Sequence, residues 1–279
     1  MIKTKRFIQY TNNLFHIICI SFTSLLTSCE MIEYHPYDLD INGEKNVNAK
    51  NINLIEQKMK GKEEFSFIVI SDTQRWYDET EDAVDYINKM DSIDFVIHTG
   101  DISDFGLKME FEKQRDIMNK LKVPYVVILG NHDCLGTGVE LFNKVFGQNN
   151  YAFTAGNVRF ICLNTNALEF DYSSDIPDLS FLEEEQKNLS PEIKKTVVAM
   201  HAGPFSDQFN NNIAKVFQYY IKQFPDLQFC IYGHGHTVRV DDYFNDGVIY
   251  YECTCAKHRG LLRFTINKEG GYKYEAINY

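Results

Sequence analysis

Ile128-Leu129-Gly130-Asn131-His132-Asp133 closes an apolar run, Tyr125 to Leu129, that reads as a buried strand. Gly130 lets the chain turn sharply. The next three side chains then bring an amide, an imidazole and a carboxylate. That mixture has no use inside a core. It fits the mouth of a sheet, where α/β proteins handle metals and phosphates.

Working upstream, the same pattern of an apolar strand with a polar tip occurs twice more. Phe65 to Ile70 runs into Ser71-Asp72-Thr73-Gln74, and Ile93 to Ile97 runs into His98-Thr99-Gly100-Asp101-Ile102-Ser103-Asp104. Between these strands, Glu79 to Met90 and Leu107 to Leu121 carry apolar residues at helical spacing, and Pro124 ends the second helix. This β-α-β-α-β alternation predicts parallel strands joined by right-handed crossovers. Downstream, a helix around Val139 to Phe146 leads to a hairpin of Tyr151 to Thr154 and Val158 to Leu163. Thr165 to Leu179 is a long irregular stretch of the kind that forms functional rims. A helix from Ser180 to Leu189 stops before Pro191. Thr196 to Met200 then leads to His201-Ala202-Gly203-Pro204, and Phe229 to Tyr232 to Gly233-His234-Gly235-His236. Between these two strands, Ile213, Val216, Phe217, Tyr220, Ile221 and Phe224 make the cleanest helical stripe in the chain. Asn245-Asp246-Gly247 and Glu269-Gly270-Gly271 mark late hairpins.

The chain has 279 residues, with 44% hydrophobic, 24% charged and 14% aromatic, the balance of a globular protein. Its net charge of −11 argues against broad contact with nucleic acid, which rewards lysine and arginine. A small anionic substrate held by metal ions stays compatible, because ions bring their own positive charge. Residues 1–28 read as a secretory leader: Lys3, Lys5 and Arg6, a short apolar region, then Leu26-Thr27-Ser28 before Cys29. Cys29 in that position resembles the lipobox of bacterial lipoproteins. The expectation is a chain lipid-anchored through Cys29 to a bacterial membrane, on its periplasmic or cell-surface side. The plainer alternative is a transmembrane anchor, for which the apolar region is short. Residues 29–60 are polar and asparagine-rich and read as a tether, with a short helix near Leu54 to Met59; residues 61–279 form the domain. Cys134, Cys162, Cys230, Cys253 and Cys255 are an odd set scattered through strands, so they read as small buried residues rather than a disulfide framework.

The strand tips supply Asp72, Gln74, Asp101, Asn131, His201, His234 and His236. Oxygen and imidazole donors in this mixture suit Mn, Fe, Zn or Mg. Two such ions a few ångströms apart clamp the attacking and leaving oxygens of a phosphoryl group, and make hydroxide available at neutral pH. Taken in order, Asp72-x-Gln74, Gly100-Asp101-x-x-Asp104, Gly130-Asn131-His132-Asp133, His201 and Gly233-His234-x-His236 resemble the calcineurin-like metallophosphoesterase family, from about residue 65 to the C-terminus. The resemblance implies a four-layer α-β-β-α sandwich with two mixed sheets, two divalent metal ions, and hydrolysis of a small phosphorylated substrate, a phosphomonoester or phosphodiester. It also implies roles. Asp72, Gln74, Asp101 and His236 would hold the first ion, with Asp101 bridging. Asn131, His201 and His234 would complete the second. His132 would contact the phosphate or protonate the leaving oxygen, and Asp104 would orient His132. The family pattern has histidine where Gln74 stands; a neutral amide oxygen is a harder, weaker donor, expected to favour Mn or Mg.

Plainer readings stand beside these. His98, inside a strand, reads as a packed core histidine, and Asp133 as a turn residue. His35 and His258 lack partners in sequence, although Lys257-His258-Arg259 could line a cleft rim. Asp104 could instead cap a helix. Arg75, Trp76 and Tyr77 could touch substrate or simply pack. Two other functions stay open: hydrolysis of nucleotide or pyrophosphate linkages, with an aromatic ring stacking a base, and a non-catalytic metal-binding surface lipoprotein.

Overall fold

The computed structural model describes residues 38–279. The leader over residues 1–28, Cys29 and His35 lie outside the described residues.

Strands β1 (Phe65–Ile70), β2 (Phe95–His98) and β3 (Tyr125–Val127) alternate with helices α2 (Tyr77–Ile87) and α3 (Lys108–Met118). β1 pairs parallel with β2, and β2 with β3, as the alternation predicts. The chain's last two strands, β10 (Gly260–Ile266) and β11 (Tyr272–Asn278), add antiparallel on the other side of β1. The first sheet therefore runs β11-β10-β1-β2-β3. The second sheet runs β4-β5-β6-β7-β9-β8 and is built from β4 (Tyr151–Ala155), β5 (Val158–Leu163), β6 (Lys195–Met200), β7 (Leu227–Tyr232), β8 (Arg239–Asp241) and β9 (Tyr250–Glu252). Its β5, β6, β7 and β9 are parallel neighbours, with antiparallel pairs at both edges.

Three buried clusters show the layering. Between the sheets lie Phe67, Phe95, Phe153, Phe160, Phe229 and Phe264. Phe67 and Phe95 are stacked at 5.1 Å, and Phe160 meets both edge-on. On the outer face of the first sheet, Val84, Ile87, Phe111 and Met118 pack down with Phe142 and Phe146 of α4 (Gly138–Val145) and its end. On the outer face of the second, Leu182 of α5 (Leu179–Lys187) and Phe217 and Ile221 of α6 (Ala214–Ile221) do the same. Strands covered on both sides become continuous apolar runs, and β1, β2 and β6 are buried at every position. This is the α-β-β-α sandwich with two mixed sheets. Among the described cysteines, Cys162, Cys230, Cys253 and Cys255 are buried free thiols and Cys134 is half-buried.

The domain starts earlier than the sequence reading places it. Residues from Leu39 onward belong to one compact unit, and Val47–Met59 is a 13-residue helix, α1. Ile55 and Met59 enter the inter-sheet core. Asn48 works as a substitute strand residue: its Nδ2 donates to Val127 O at 2.8 Å, and its Oδ1 accepts from Val127 N at 2.9 Å. Asn51 Nδ2 donates to Tyr125 O at 2.8 Å. Glu56 Oε1 accepts from Thr154 N of β4 at 3.0 Å. The asparagines that look like tether are there to satisfy the bare edge of β3, which would otherwise present unpaired backbone groups. The tether boundary at residue 60 thus gives way to a domain beginning at Leu39.

Candidate metal centre

Each candidate ligand follows the C-terminal end of a strand, four from the first sheet (Asp72, Gln74, Asp101 and Asn131) and three histidines from the second. Gly130 and Gly233 allow the loops to close up: a Cβ on Gly130 would run into Asp101, and one on Gly233 into Ser71. Backbone strain concentrates here. Asp72 (φ 50°), Gln74 (φ 37°), Asp101 (φ 56°), His234 (φ 72°) and His236 (φ 56°) all sit in the left-handed region. Non-glycine residues there cost of order 1–3 kcal/mol each and persist where the surroundings over-determine them, commonly at functional sites.

The side chains converge. Ligand atoms of Asp72, Asp101 and His201, all buried, lie within 4.8 Å of one another. His201 Nδ1 donates to Thr99 O at 2.8 Å, and burial pushes the ring down to about 4, so it is neutral near pH 7 with a bare Nε2. That nitrogen lies 2.9 Å from Asn131 Oδ1 and 3.4 Å from Asp101 Oδ1. His234 Nε2 pairs with Asp207 Oδ1 at 3.0 Å, leaving Nδ1 bare, and Nδ1 also faces Asn131 Oδ1, at 3.0 Å. With the amide in this orientation, lone pairs point at lone pairs, an arrangement that asks for a cation.

The first-ion group has the same character. Burial opposes ionisation of Asp72, but the neighbouring His236 and His201 imidazoles outweigh it and hold the carboxyl at about 2. Hydrogen bonding to Asp72 lifts His236 to about 10, with the Cys255 thiol assisting and burial opposing. His236 Nε2 comes within 3.2 Å of Asp72 Oδ1, yet this buried oxygen keeps no well-directed donor. Burial, then the nearby Asp72 and Asp133 carboxylates, push Asp101 well above the usual range. One half-exposed imidazole is little positive charge for two adjoining buried acids and an oxygen with no directed donor, so the residues fit divalent ions.

Gln74 joins this group through its nitrogen: Nε2 donates to Asp101 Oδ2 at 3.2 Å. His132 is brought to the edge of the site, its main-chain N–H donating to Asp101 Oδ1 at 2.9 Å. Asp104 holds His132 through a different atom than expected. His132 Nδ1 bonds the Asp104 main-chain carbonyl at 2.7 Å, whereas the carboxylate lies 3.8 Å away and pairs with Arg75 Nη2 at 2.5 Å. Nor does Asp104 cap α3, whose cap is Leu107.

Asp133 does more than fix a turn. It is fully buried and accepts from Gly130 N, Ile102 N, Ser103 N and Ser103 Oγ, stitching the second tip to the third. His98 is a packed histidine, buried against Thr73 Oγ1 at 2.9 Å. His258 Nδ1 lies 3.1 Å from His236 O, behind the site. Arg75 lies over the Phe105 ring, and Lys257 lies 5.3 Å from the Trp76 ring centre, so the first motif's rim is cationic and aromatic. Asp207, the partner of His234, carries no sequence signal. It sits in an irregular loop, and only folding brings it to β7.

Comparison with known proteins agrees with this geometry. A family model described as calcineurin-like phosphoesterase matches residues 65–238. A 3′,5′-cyclic-nucleotide phosphodiesterase of Nostoc is 26% identical over 186 residues, 63% of this chain and 69% of that protein. A serine/threonine-protein phosphatase of Mus musculus is 34% identical over 102 residues, 32% of each chain. A dimetal phosphatase from Danio rerio superposes with a TM-score of 0.56 at 13% identity, covering 77% of this chain and 99% of that one. A yellow lupin (Lupinus luteus) purple acid phosphatase superposes at 0.59 and 12% identity, covering 77% and 51%. With the family model spanning more than half of its length and the motif residues of both sheets gathered at one cleft, this chain belongs to the calcineurin-like phosphoesterase family.

Proposed function

We propose that the protein is a metal-dependent phosphoesterase hydrolysing a phosphomonoester or phosphodiester. The convergence of bare His201 Nε2, bare His234 Nδ1, Asn131 Oδ1 and the Asp101 carboxylate carries this reading. Asp72, Gln74, Asp101 and His236 would hold one ion; Asp101, Asn131, His201 and His234 would hold the second. When bound, such a pair supplies positive charge to the phosphoryl oxygens and makes water acidic enough to react near neutral pH. The remaining work falls to the chain. Asp72 and Asp101 arrive buried and inward-facing, so little ordering is left to do on binding. Asp207 fixes the His234 tautomer, and Thr99 fixes that of His201. His132, held through Nδ1 by Asp104 O, offers Nε2 for proton transfer to the leaving oxygen.

Turnover of p-nitrophenyl mono- and diesters alongside nucleotides, with metal analysis of the same samples, tests the proposal. His132→Ala should lower kcat by about 10²–10⁴-fold with metal content unchanged. Bound metal with no turnover on any phosphoester would instead mark a metal-binding surface protein. A second reading, cleavage of nucleotide or pyrophosphate linkages, is favoured by half-buried Trp76 beside Lys257 at the rim. The nucleotide arm of the panel separates the two. We also propose, from Leu26-Thr27-Ser28-Cys29, that the domain is held to a bacterial membrane by a lipid on Cys29, on the extracytoplasmic side.

A further inference from the structure

Beyond His234 the cleft continues into a cavity of about 140 Å³, walled by Pro204, Phe205, Ser206, Arg239 and Tyr243. It opens on a ligand of the proposed metal centre, so a substrate bound at that centre can extend into it. Glu252 also lines it, with its carboxylate turned onto Arg239. Arg239 stands directly opposite Glu252 in the β8–β9 pair, with its Nε 3.6 Å from Glu252 Oε2. The Glu252 side chain is 2% exposed and that of Arg239 is 57% exposed. A guanidinium has five N–H donors, so one buried carboxylate steers it without using its capacity. Glu252 is itself held by Tyr232 OH at 3.2 Å and Thr237 Oγ1 at 3.3 Å, and Tyr232 OH lies 2.6 Å from Tyr243 OH. The arginine is therefore set on a braced platform.

A second observation points the same way. Ser206 lines the cavity, and its Oγ, shielded from solvent in this rotamer, has no hydrogen-bond partner, so a turn about χ1 would bring an uncommitted hydroxyl to the space. Its loop is held firmly: Phe205, at φ 71°, donates its N–H to Asn211 Oδ1 at 2.7 Å, and Asn211 Nδ2 donates to Ser206 O at 2.7 Å. The Phe205 ring packs on Tyr243 and Phe244 at 5.7 and 5.4 Å. A cation with spare donors and an unpaired hydroxyl, in a space this small, suit a tetrahedral oxyanion.

We infer that this cavity is a subsite for a second phosphate group of the substrate, held by Arg239 and Ser206 while the first phosphate reacts at the metal centre. The inference rests on the phosphoesterase reading and narrows it to substrates with two phosphates. Arg75 on Asp104 offers a matching braced arginine on the His132 side of the centre, 59% exposed on a carboxylate that is 2% exposed.

The test uses the metal-loaded full chain and two p-nitrophenyl esters of thymidine 5′-phosphate, one carrying a 3′-phosphate and one not. Wild type should show the lower KM for the phosphate-bearing ester. Arg239→Ala should shift the ratio of the two KM values by about tenfold or more toward the plain ester, as expected for losing a charge-assisted hydrogen bond. Arg239→Lys should restore part of the preference, and Ser206→Ala should move the ratio in the same direction by a few-fold. A ratio unchanged in both Arg239→Ala and Ser206→Ala overturns the inference and leaves the phosphoesterase reading intact. If wild type cleaves neither ester, the phosphoesterase reading is what suffers. The structure of the chain soaked with thymidine 3′,5′-diphosphate then decides the subsite: a phosphate on Arg239 and Ser206 supports it, and an empty cavity overturns it.

Discussion

Gln74 is the residue at which this chain departs from the pattern of its family, and its surroundings say what the departure costs. Where the family has an imidazole, this chain has an amide whose nitrogen is already engaged by Asp101 Oδ2. To offer its oxygen to an ion, the amide must rotate and give up that contact. An amide oxygen is also harder than an imidazole nitrogen, which shifts preference toward Mn or Mg. Gln74→His should therefore tighten metal binding at the first position by about 10-fold or more and raise the Zn share, as read by metal analysis after equilibration with a mixture of ions. Unchanged affinity and preference would contradict this. Much of the centre is legible residue by residue, because a ligand must be one of a few chemical types and must follow a strand. What escapes is atom-level and long-range. No pattern says that Asp104 holds His132 by its carbonyl rather than its carboxylate. Nor does any spacing join Asp207 to His234, or Arg239 to Glu252, since those pairs exist only once distant segments have folded together.

Among the elements, α1 is the instructive one. Strands and helices with clean apolar periods fall at or close to their expected positions, with ends displaced by at most three residues, because burial on both sheet faces leaves little choice of residue type. Helix α1 lacks that signal. Its inward face includes Asn48 and Asn51 beside Val47, Ile55 and Met59, so composition alone reads it as solvated. The two amides are inside because the edge of β3 needs donors and acceptors, a demand invisible until the sheet is present. Asn48→Ala leaves the Val127 N–H without its partner, while the C=O keeps the Tyr151 hydroxyl at 2.8 Å, and should cost about 1–3 kcal/mol of folding stability, measured by chemical denaturation. A loss below about 0.5 kcal/mol, the range of ordinary surface substitutions, would show that α1 covers the edge without sealing it.

For the whole molecule, the acidic balance and the N-terminal pattern make separate demands. A net charge of −11 over the whole chain leaves the attraction of anionic substrates to the ions and to the few placed arginines, and works against attraction to an anionic lipid surface. Membrane residence would then rest on Cys29. Cys29→Ala should move the protein out of the membrane pellet, or leave an uncleaved precursor, when cell fractions are compared by immunoblot; wild-type distribution in the variant would exclude a lipid on that residue. The two-sheet architecture carries a last implication. Asp72, Asp101 and Asn131 hang from one sheet, and His201, His234 and His236 from the other. Ions seated among them would rivet the two halves across the cleft, so the reaction centre is also a fastening. Slippage of either half by a single residue would dismantle it, which makes turnover a report on the alignment of the entire sandwich.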